Sequence, residues 1–381
     1  MKRPNILHLT FDYAENNVGV STTAVVDLIN ETSKIALTHI ISLSKTGNPL
    51  KIKFINLSPS LTKVTVFGLP YGLFHLTAMK KSKDLIANNS EKNNLSLKGF
   101  DIIHAHKLSF EGIIGYYLAK ENNSRLFVSI RQTDFFVLKH RKDLIPLMKE
   151  IINYASKIFF IAPYMKNKLK LLFGEKFFNE ILTNKLVYLP NSIITDNFQF
   201  AQNKTSNNLL TISWLKKRVV MRKNIYKLFE AIKLLNDKNI KLDVIGYGDY
   251  ESEVKSWSKK LGIEDQVNFL GFIKNEEVSH YLQKAKAFLM PSFSETFGVA
   301  YAESLLCGTP IMYSEGTGFD GTFENIGVCV KPRSIQSIAD GIKIIISNNS
   351  LYRENIKRLY AEGAFDIFDR KNVSKIYSKQ L

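Results

Sequence analysis

The chain is poor in cysteine, with 2 among 381 residues. So few thiols in so long a chain argue against a disulfide scaffold and fit a reducing compartment. Cys329 falls in the apolar run from Ile326 to Val330, and we expect both it and Cys307 to be buried.

Long apolar runs are also missing, and none approaches the roughly 18 residues that a membrane-spanning helix needs. The first residues begin with basic side chains, but Asp12 and Glu15 interrupt the apolar stretch and no small-residue cleavage site follows. We therefore expect no signal peptide. These absences predict a cytoplasmic protein that is soluble or peripheral on the inner face of the cell membrane.

Acidic residues are outnumbered, since 35 Asp and Glu stand against 52 Lys and Arg, which gives a net charge of +17. Most of the excess lies in residues 1–190, which carry 26 basic and 14 acidic residues. The stretch Met165 to Phe173 mixes leucines with Lys166, Lys168 and Lys170, a pattern that can lie on an anionic membrane surface or form a solvated helix face. No recognition motif accompanies the charge, so nucleic acid is not an expected partner.

Strand patterns alternate with helix patterns along the whole chain, which predicts an α/β fold with parallel sheets covered on both faces. The length and the 45% hydrophobic content suit two domains. We predict an N-terminal Rossmann-like domain over residues 1–190 and a second one over 191–364, joined by an Asn-rich polar stretch. Ligands of such sheets bind at the carboxyl ends of the strands.

Two glutamates, Glu295 and Glu303, mark the most informative segment. The apolar run Phe288 to Met290 predicts a buried strand, a polar loop holds Glu295, and a helix pattern from Gly298 to Leu306 holds Glu303. Side chains on a helix lean toward its N-terminus, so Glu303 can reach the ligand that Glu295 meets from the loop. The free N–H groups of the helix end would face an anion such as a diphosphate. A surface helix with one solvated glutamate is the alternative.

This segment resembles the signature of the family-four retaining glycosyltransferases, which have the GT-B fold. It reads Ser294-Glu295-Thr296-Phe297-Gly298, then Glu303, then Cys307-Gly308-Thr309-Pro310, with Thr296 in place of the common Gly. The resemblance implies two doubly wound domains facing across a cleft, with residues 365–381 returning to brace the first. It implies transfer with retention from a nucleotide sugar, a UDP-sugar above all. Glu295 would bind sugar hydroxyls, Glu303 would bind ribose, and the backbone from Phe297 to Val299 would bind phosphate.

The resemblance also implies an Arg and a Lys on the donor diphosphate, and Arg218 and Lys223 have the family's spacing. Fixed cations can stabilise a leaving diphosphate, whereas an exposed basic loop is the alternative. No Asp-x-Asp motif occurs in the chain, so we expect neither a metal nor another cofactor, the nucleotide sugar being a substrate. Gly246 follows a strand as part of Gly-Tyr-Gly, a weak dinucleotide signal, and in the family Gly271 and Phe272 lie by the base.

The first half carries weaker family resemblances, which concern the acceptor side. Gly19 lies where the family has a glycine loop, although Val18 replaces the first of its two glycines. His106 ends a strand and is a candidate for the cleft. Arg131 replaces a family His, and because guanidinium cannot act as a general base, it is a candidate for anion or sugar binding. We expect His104 and His106 to point to opposite faces and hence to form no zinc site.

Three other functions stay open. A relative of the same fold could hydrolyse or epimerise nucleotide sugars. A Rossmann-type dinucleotide-binding protein could be built around Gly246. A peripheral membrane or nucleic-acid binding module without catalysis is the third. The charge of the first domain suggests a glycan or lipid-linked acceptor, as in surface polysaccharide or lipopolysaccharide assembly.

Overall fold

The structure is a computed structural model that describes residues 3–11, 24–44, 53–55, 61–68, 83–84, 86, 96–202 and 206–381. The chain forms two compact units. Unit 1 comprises Met1–Ile161, Met165–Ser192 and Arg370–Leu381, and unit 2 comprises Ala162–Tyr164 and Ile193–Asp369. We predicted that the first domain ends at residue 190 and that the chain returns to it from residue 365. In the structure, the long part of unit 1 ends at Ser192, and its C-terminal part begins at Arg370.

The described residues contain strands and helices in alternation. The strands are β1 Asn5–Thr10, β2 Leu37–Ser44, β3 Lys53–Ile55, β4 Leu61–Gly68, β5 Ile102–Ala105, β6 Arg125–Ile130, β7 Lys157–Phe160, β8 Leu186–Tyr188, β9 Leu209–Ile212, β10 Leu242–Ile245, β11 Val267–Gly271, β12 Ala287–Leu289, β13 Ile311–Ser314 and β14 Gly327–Val330. The helices are α1 Ala24–Thr32, α2 Glu111–Asn122, α3 Gln132–His140, α4 Ile145–Tyr154, α5 Met165–Phe173, α6 Glu175–Phe177, α7 Lys217–Lys223, α8 Ile225–Leu235, α9 Glu251–Leu261, α10 Asn275–Lys284, α11 Val299–Leu306, α12 Ile335–Ser347, α13 Asn349–Ala361 and α14 Arg370–Ser378.

Unit 1 is built on one sheet with the strand order β3-β4-β2-β1-β5-β6-β7-β8. Its strands pair in parallel, except that β3 runs antiparallel to β4. β3 was not predicted, because three residues give too short a pattern to recognise. Along β1, β5, β6 and β7 nearly all side chains are buried on both faces of the sheet, as expected for parallel strands covered on both sides.

The two faces of the unit 1 sheet have different cores. Leu7 and Leu9 of β1 belong to a large cluster on one face. Ile6 belongs to the cluster on the other face, where Val373 and Tyr377 of α14 are buried. The C-terminal helix is therefore part of the core of unit 1.

Unit 2 is built on a sheet with the order β11-β10-β9-β12-β13-β14, and its pairs are parallel. Leu228 of α8 and Ile342 of α12 lie in its main core with Leu242 and Met312 of the sheet. The strand order reverses between β9 and β12, and in such sheets the ligand crevice opens at this switch point. The prediction of two Rossmann-like α/β domains is confirmed.

Two further expectations can be compared with the structure. Cys307 is buried, but the expectation that Cys329 is also buried was wrong, since its side chain is exposed. Cys329 is on β14, an edge strand, where an apolar run does not guarantee cover on both faces. Within the described ranges, no helix combines the length and the apolar character that a membrane-spanning segment requires.

Candidate active site

Lys223 joins the ends of the two strands at the switch point of unit 2. It is the last residue of α7, the helix that follows β9. Its Nζ donates to the carbonyl of Ile212, the last residue of β9, at 3.2 Å, and lies 3.0 Å from Sδ of Met290, which directly follows β12. The amine is therefore held between the two strand ends where a ligand of this sheet would bind.

The loop after β12 is fixed to the end of α7. Asn224 adopts a left-handed conformation, with φ of 63°. Its Nδ2 donates to the carbonyls of Pro291, at 3.0 Å, and Pro332, at 2.7 Å. The N–H of Phe293 donates to the carbonyl of Arg222 at 2.9 Å. These bonds set the position of Glu295 relative to Lys223.

The backbone of Glu295 is held by four hydrogen bonds. Its N–H donates to Oγ1 of Thr317 at 2.6 Å, and its carbonyl accepts from that hydroxyl at 2.7 Å and from the N–H of Gly318 at 2.8 Å. The hydroxyl of Tyr164 donates to the same carbonyl at 3.3 Å. The carboxylate accepts only from the N–H of Thr296, at 3.1 Å, among the described residues. The backbone is thus fixed while the carboxylate keeps acceptor capacity for a ligand.

Gly298 is the residue at which the loop turns into α11. Its φ is +84°, and a Cβ there would lie 2.4 Å from Cδ2 of Tyr301 and 3.2 Å from Cγ of Glu295. Both the backbone conformation and the lack of space require glycine. The ring of Tyr301 is fixed in turn, since its hydroxyl donates to the carbonyl of Met290.

Glu303 lies in the middle of α11, and its carboxyl is in a desolvated environment. Burial raises the pKa of this carboxyl to about 7, although the nearby Lys223 acts in the opposite direction. Burial also lowers the pKa of Lys223. The negative charge of Glu295 raises this pKa, the positive charge of Arg222 lowers it, and the charge of Glu303 raises it. The amine therefore senses both glutamates. A cation that interacts electrostatically with two carboxylates can bind hydroxyl groups and stabilise a developing anion.

Three comparisons show which known proteins this chain is similar to. Residues 195–361 match the family described as glycosyl transferases group 1. An uncharacterized glycosyltransferase of Methanocaldococcus jannaschii is 28% identical over 161 residues, which are 42% of this chain and 41% of that protein. The O-antigen chain mannosyltransferase B of Escherichia coli is 25% identical over 228 residues, 55% of this chain and 58% of that protein.

The chain spans about half the length of these curated relatives. The structure of HepE from Anabaena in complex with UDP and glucose is similar over 99% of both chains, with 15% identity and a TM-score of 0.66. Residues 195–361 are a group 1 glycosyl transferase domain. The fold is GT-B, as predicted from the resemblance.

Within this glycosyl transferase domain, the predicted arginine and a neighbour lie on one face of α7. Arg218 and Arg222 are four residues apart, the spacing at which helix side chains align, and both are exposed. The exposed-loop alternative is wrong for Lys223, which ends a helix and is half-buried. Arg222 contributes to the lowered pKa of Lys223. Arg218 was predicted to bind the diphosphate, whereas no role was predicted for Arg222.

The start of α11 offers backbone groups rather than side chains. Phe297 is buried against Phe319 and Phe368, with ring centroids 5.4 and 5.5 Å away. Its side chain therefore belongs to the core. Val299 is the first residue of α11, and the first N–H groups of a helix have no acceptor within the helix. Phosphate binding by this segment would use the main chain.

Gly246 and its neighbour Gly248 allow two loops of the glycosyl transferase domain to touch. A Cβ on Gly246 would lie 1.7 Å from the carbonyl oxygen of Ser213, and one on Gly248 would lie 2.4 Å from that of Leu215. The next helix, α9, has Glu251 and Glu253 in its first turn. Because these carboxylates repel a pyrophosphate at that helix end, the geometry does not favour the dinucleotide interpretation.

Gly271 ends β11 beside this loop, and Phe272 directly follows it. Gly271 has φ of +71° and accepts from the N–H of Gly246 at 2.8 Å. Phe272 is 62% exposed and forms an edge-to-face pair with Tyr247 at 5.0 Å. Exposed aromatic rings at the carboxyl edge of the sheet suit the flat face of a base.

Of the acceptor candidates, Gly19 lies outside the described residues, and Arg131 and His106 lie in unit 1. Arg131 directly precedes α3 and donates from Nη1 to Oδ1 of Asn191 at 2.8 Å. Its N–H donates to Oδ2 of Asp134 at 2.8 Å. These bonds fix the backbone and the guanidinium of Arg131.

His106 belongs to a buried group of three histidines. Its Nε2 lies 3.0 Å from Nδ1 of His8, and the ring of His104 stacks on it with centroids 4.1 Å apart. His104 makes hydrogen bonds to Ser129 at 2.9 Å and Tyr377 at 3.0 Å. The expectation that His104 and His106 face opposite ways was wrong, because residues two apart along a strand share a face.

The three histidines bring ligand atoms within 4.8 Å of one another, although both ring nitrogens of His104 already make hydrogen bonds. Burial is the main reason that the pKa of each ring is low, that of His8 falling to about 3. These neutral rings act as a hydrogen-bonded part of the core under α14.

Proposed function

We propose that this protein is a retaining glycosyltransferase that takes a sugar from a UDP-sugar and transfers it to a glycan or lipid-linked acceptor. The observation that carries the proposal is the position of Lys223, which lies between the ends of β9 and β12 and senses both Glu295 and Glu303. The matched family, together with the relative acting on O-antigen chains and the similar structure holding UDP and glucose, supports it.

The proposed roles follow from charge and position. Glu295 accepts hydrogen bonds from hydroxyls of the donor sugar, and Glu303 accepts them from the ribose. Lys223 and an arginine of α7, Arg218 in the family spacing, stabilise the diphosphate as negative charge develops on it. The N–H groups at the start of α11 bind a phosphate oxygen, and the rings of Tyr247 and Phe272 lie by the base.

The chemical step breaks the bond between the anomeric carbon and the diphosphate oxygen and forms a bond to the acceptor oxygen on the same face. The acceptor proton passes to the leaving phosphate, which removes the need for a covalent protein nucleophile. Because cations of the chain supply the positive charge, we expect transfer to persist in EDTA. The free thiols Cys307 and Cys329 suit the reducing conditions of the cytoplasm.

A panel of nucleotide sugars, assayed for nucleoside diphosphate release with and without glycan and lipid-linked acceptors, tests the proposal. Transfer of the sugar to an acceptor is the expected result. Release of free sugar under all conditions would indicate a hydrolase, and formation of a stereoisomeric nucleotide sugar would indicate an epimerase. The absence of UDP-sugar binding in thermal shift measurements would contradict the donor assignment, because a ligand that binds the native state raises its apparent stability.

Glu295→Ala tests the sugar-binding role. We expect this variant to lose transfer and to keep a thermal shift with UDP, because the nucleotide contacts remain. The matched control is Glu315→Ala, which removes an exposed carboxylate from the same unit. Transfer at the native rate by Glu295→Ala would contradict the assignment.

A further inference from the structure

Unit 1 has a groove between α3 and α5 that is apolar at its floor and basic at its rim. The cavity has a volume of about 470 Å³. We call it the basic groove and define it by Phe135, Leu171 and Leu172, which give apolar surface, and Lys139, Lys142 and Lys168, which give charge. None of the residues assigned to sugar transfer lines it.

Leu171 projects from this groove into solvent. Its side chain is 86% exposed, the largest value among the large apolar side chains that the structure describes. The inner face of the same helix is buried through Leu169 and Phe173. Leu171 therefore contributes nothing to the core, and its exposure marks a surface that an apolar partner would cover.

Three lysines line the groove. Among the described residues, Lys139 and Lys142 form no ion pair, whereas nearby Arg141 pairs with Asp143 at 2.6 Å. Burial lowers the pKa of Lys168, whose Nζ lies 5.8 Å from the ring centroid of Phe135. A cation beside apolar rings suits a ligand that has a charged and an apolar part.

We propose that the basic groove binds the surface of an anionic membrane, with a lipid phosphate at its lysines and Leu171 among the acyl chains. Charge complementarity selects this partner, because ammonium groups attract the anionic leaflet while the apolar floor and Leu171 suit its hydrocarbon boundary. A partner that binds through charge alone, such as nucleic acid, would leave Leu171 and the apolar residues of the groove exposed to water. The inference does not depend on the proposed transfer reaction.

Cosedimentation of the full chain with vesicles tests the proposal. We expect binding to vesicles with 30% phosphatidylglycerol in phosphatidylcholine, at about 50 mM salt, and little binding to pure phosphatidylcholine. Lys139→Glu with Lys142→Glu should weaken binding about 20-fold or more, since each basic residue near the surface accounts for about fivefold. Leu171→Glu should weaken it about tenfold, because it removes buried apolar surface and adds charge.

Two matched controls separate the groove from net charge and from general apolar exposure. Lys343→Glu with Lys357→Glu makes the same charge change on exposed lysines of unit 2. Leu351→Glu alters a leucine of unit 2 that is 60% exposed. We expect both controls to bind vesicles like the native chain, and circular dichroism to show that all variants are folded.

Equal weakening by the groove variants and their controls would overturn the assignment to the groove. If DNA displaced the vesicles completely and Leu171→Glu left DNA binding unchanged, the groove would be a nucleic-acid binding surface. No vesicle binding by the native chain would overturn the proposal. If the chain transferred sugar to a soluble acceptor but did not bind vesicles, this inference would be refuted and the proposed function would be unaffected.

Discussion

The hydroxyl of Tyr164 lies 3.3 Å from the carbonyl oxygen of Glu295, and it is equally close to that of Thr296. Tyr164 belongs to the short segment Ala162–Tyr164, which packs with unit 2 although the residues on either side of it belong to unit 1. No role was predicted for Tyr164 from the sequence. The contact makes Tyr164 a positioning residue for the loop that holds Glu295.

Tyr164→Phe removes this donor and keeps the ring. We expect kcat to fall by up to about tenfold, because a hydrogen bond of this kind contributes about 1 kcal/mol, while KM for the donor changes little. Tyr188→Phe is the control, since the Tyr188 hydroxyl has no hydrogen-bond partner within the described ranges. A fall in Tm with unchanged kcat would show that Tyr164 acts on stability alone.

Lys223→Ala should reduce turnover by about 100-fold or more, the effect of losing a group that stabilises developing charge. The variant should still bind the free nucleoside, which carries no diphosphate. Lys217→Ala, at the exposed start of the same helix, is the control and should keep most of the activity. Steady-state rates of nucleoside diphosphate release provide the measurement. Native turnover in Lys223→Ala would exclude its proposed role.

Much of the fold could be predicted because apolar strands alternate with helix patterns. The segment from Gly298 to Leu306 was predicted as a helix, and the structure has α11 over Val299–Leu306. Its apolar periodicity and the glycine before it are local signals, which can be recognised without knowing the tertiary structure. The exposure of Cys329 could not be predicted in this way, because it depends on which strand lies at the edge of the sheet.

The side chains proposed to contact the ligand could be named from the sequence and their roles stay predictions, whereas the residues that support them could not be named. Glu295, Glu303 and Lys223 carry chemistry that a sequence displays. Asn224 and Tyr164 donate hydrogen bonds to backbone carbonyls that are distant in the sequence. Because every residue has a backbone carbonyl, the sequence does not indicate which one accepts. Similarly, Gly246 suggested a ligand loop, whereas the structure shows that the approach of Ser213 already requires glycine there.

Gly246→Ala should therefore destabilise the protein even without a ligand. A Cβ 1.7 Å from a backbone oxygen forces one of two packed loops to move, and we expect a loss of about 3 kcal/mol in the free energy of unfolding. Gly262→Ala is the control, since Gly262 has φ of +65° and open space, its nearest neighbour being Nζ of Lys233 at 3.8 Å. It should lose about 1 kcal/mol, from backbone strain alone. Urea titrations of both variants measure the difference, and equal losses would show that the approach of Ser213 is not what requires glycine.

Glu303 predicts opposite pH dependences for donor binding and for stability. Burial holds the pKa of its carboxyl at about 7 in the folded chain, above the ordinary value of 4.5, while Lys223 acts in the other direction. A ribose hydroxyl donates best to the carboxylate, so donor affinity should rise about tenfold from pH 6 to pH 8 as Glu303 ionises. Glu303→Gln should bind the donor weakly and with little dependence on pH in this range.

Stability should follow the reverse course. A carboxyl whose folded pKa is raised binds its proton more tightly in the folded state, so its contribution is complete below about pH 4.5 and is lost as the pH rises through about 7. The full loss is roughly 3 kcal/mol, from the size of the shift. The buried histidines oppose this trend by destabilising the fold in acid, so the comparison must be made against Glu303→Gln, which keeps them. Between pH 5 and pH 8, the native chain should lose Tm relative to this variant. Parallel pH curves for the two proteins would show that Glu303 does not titrate near neutrality.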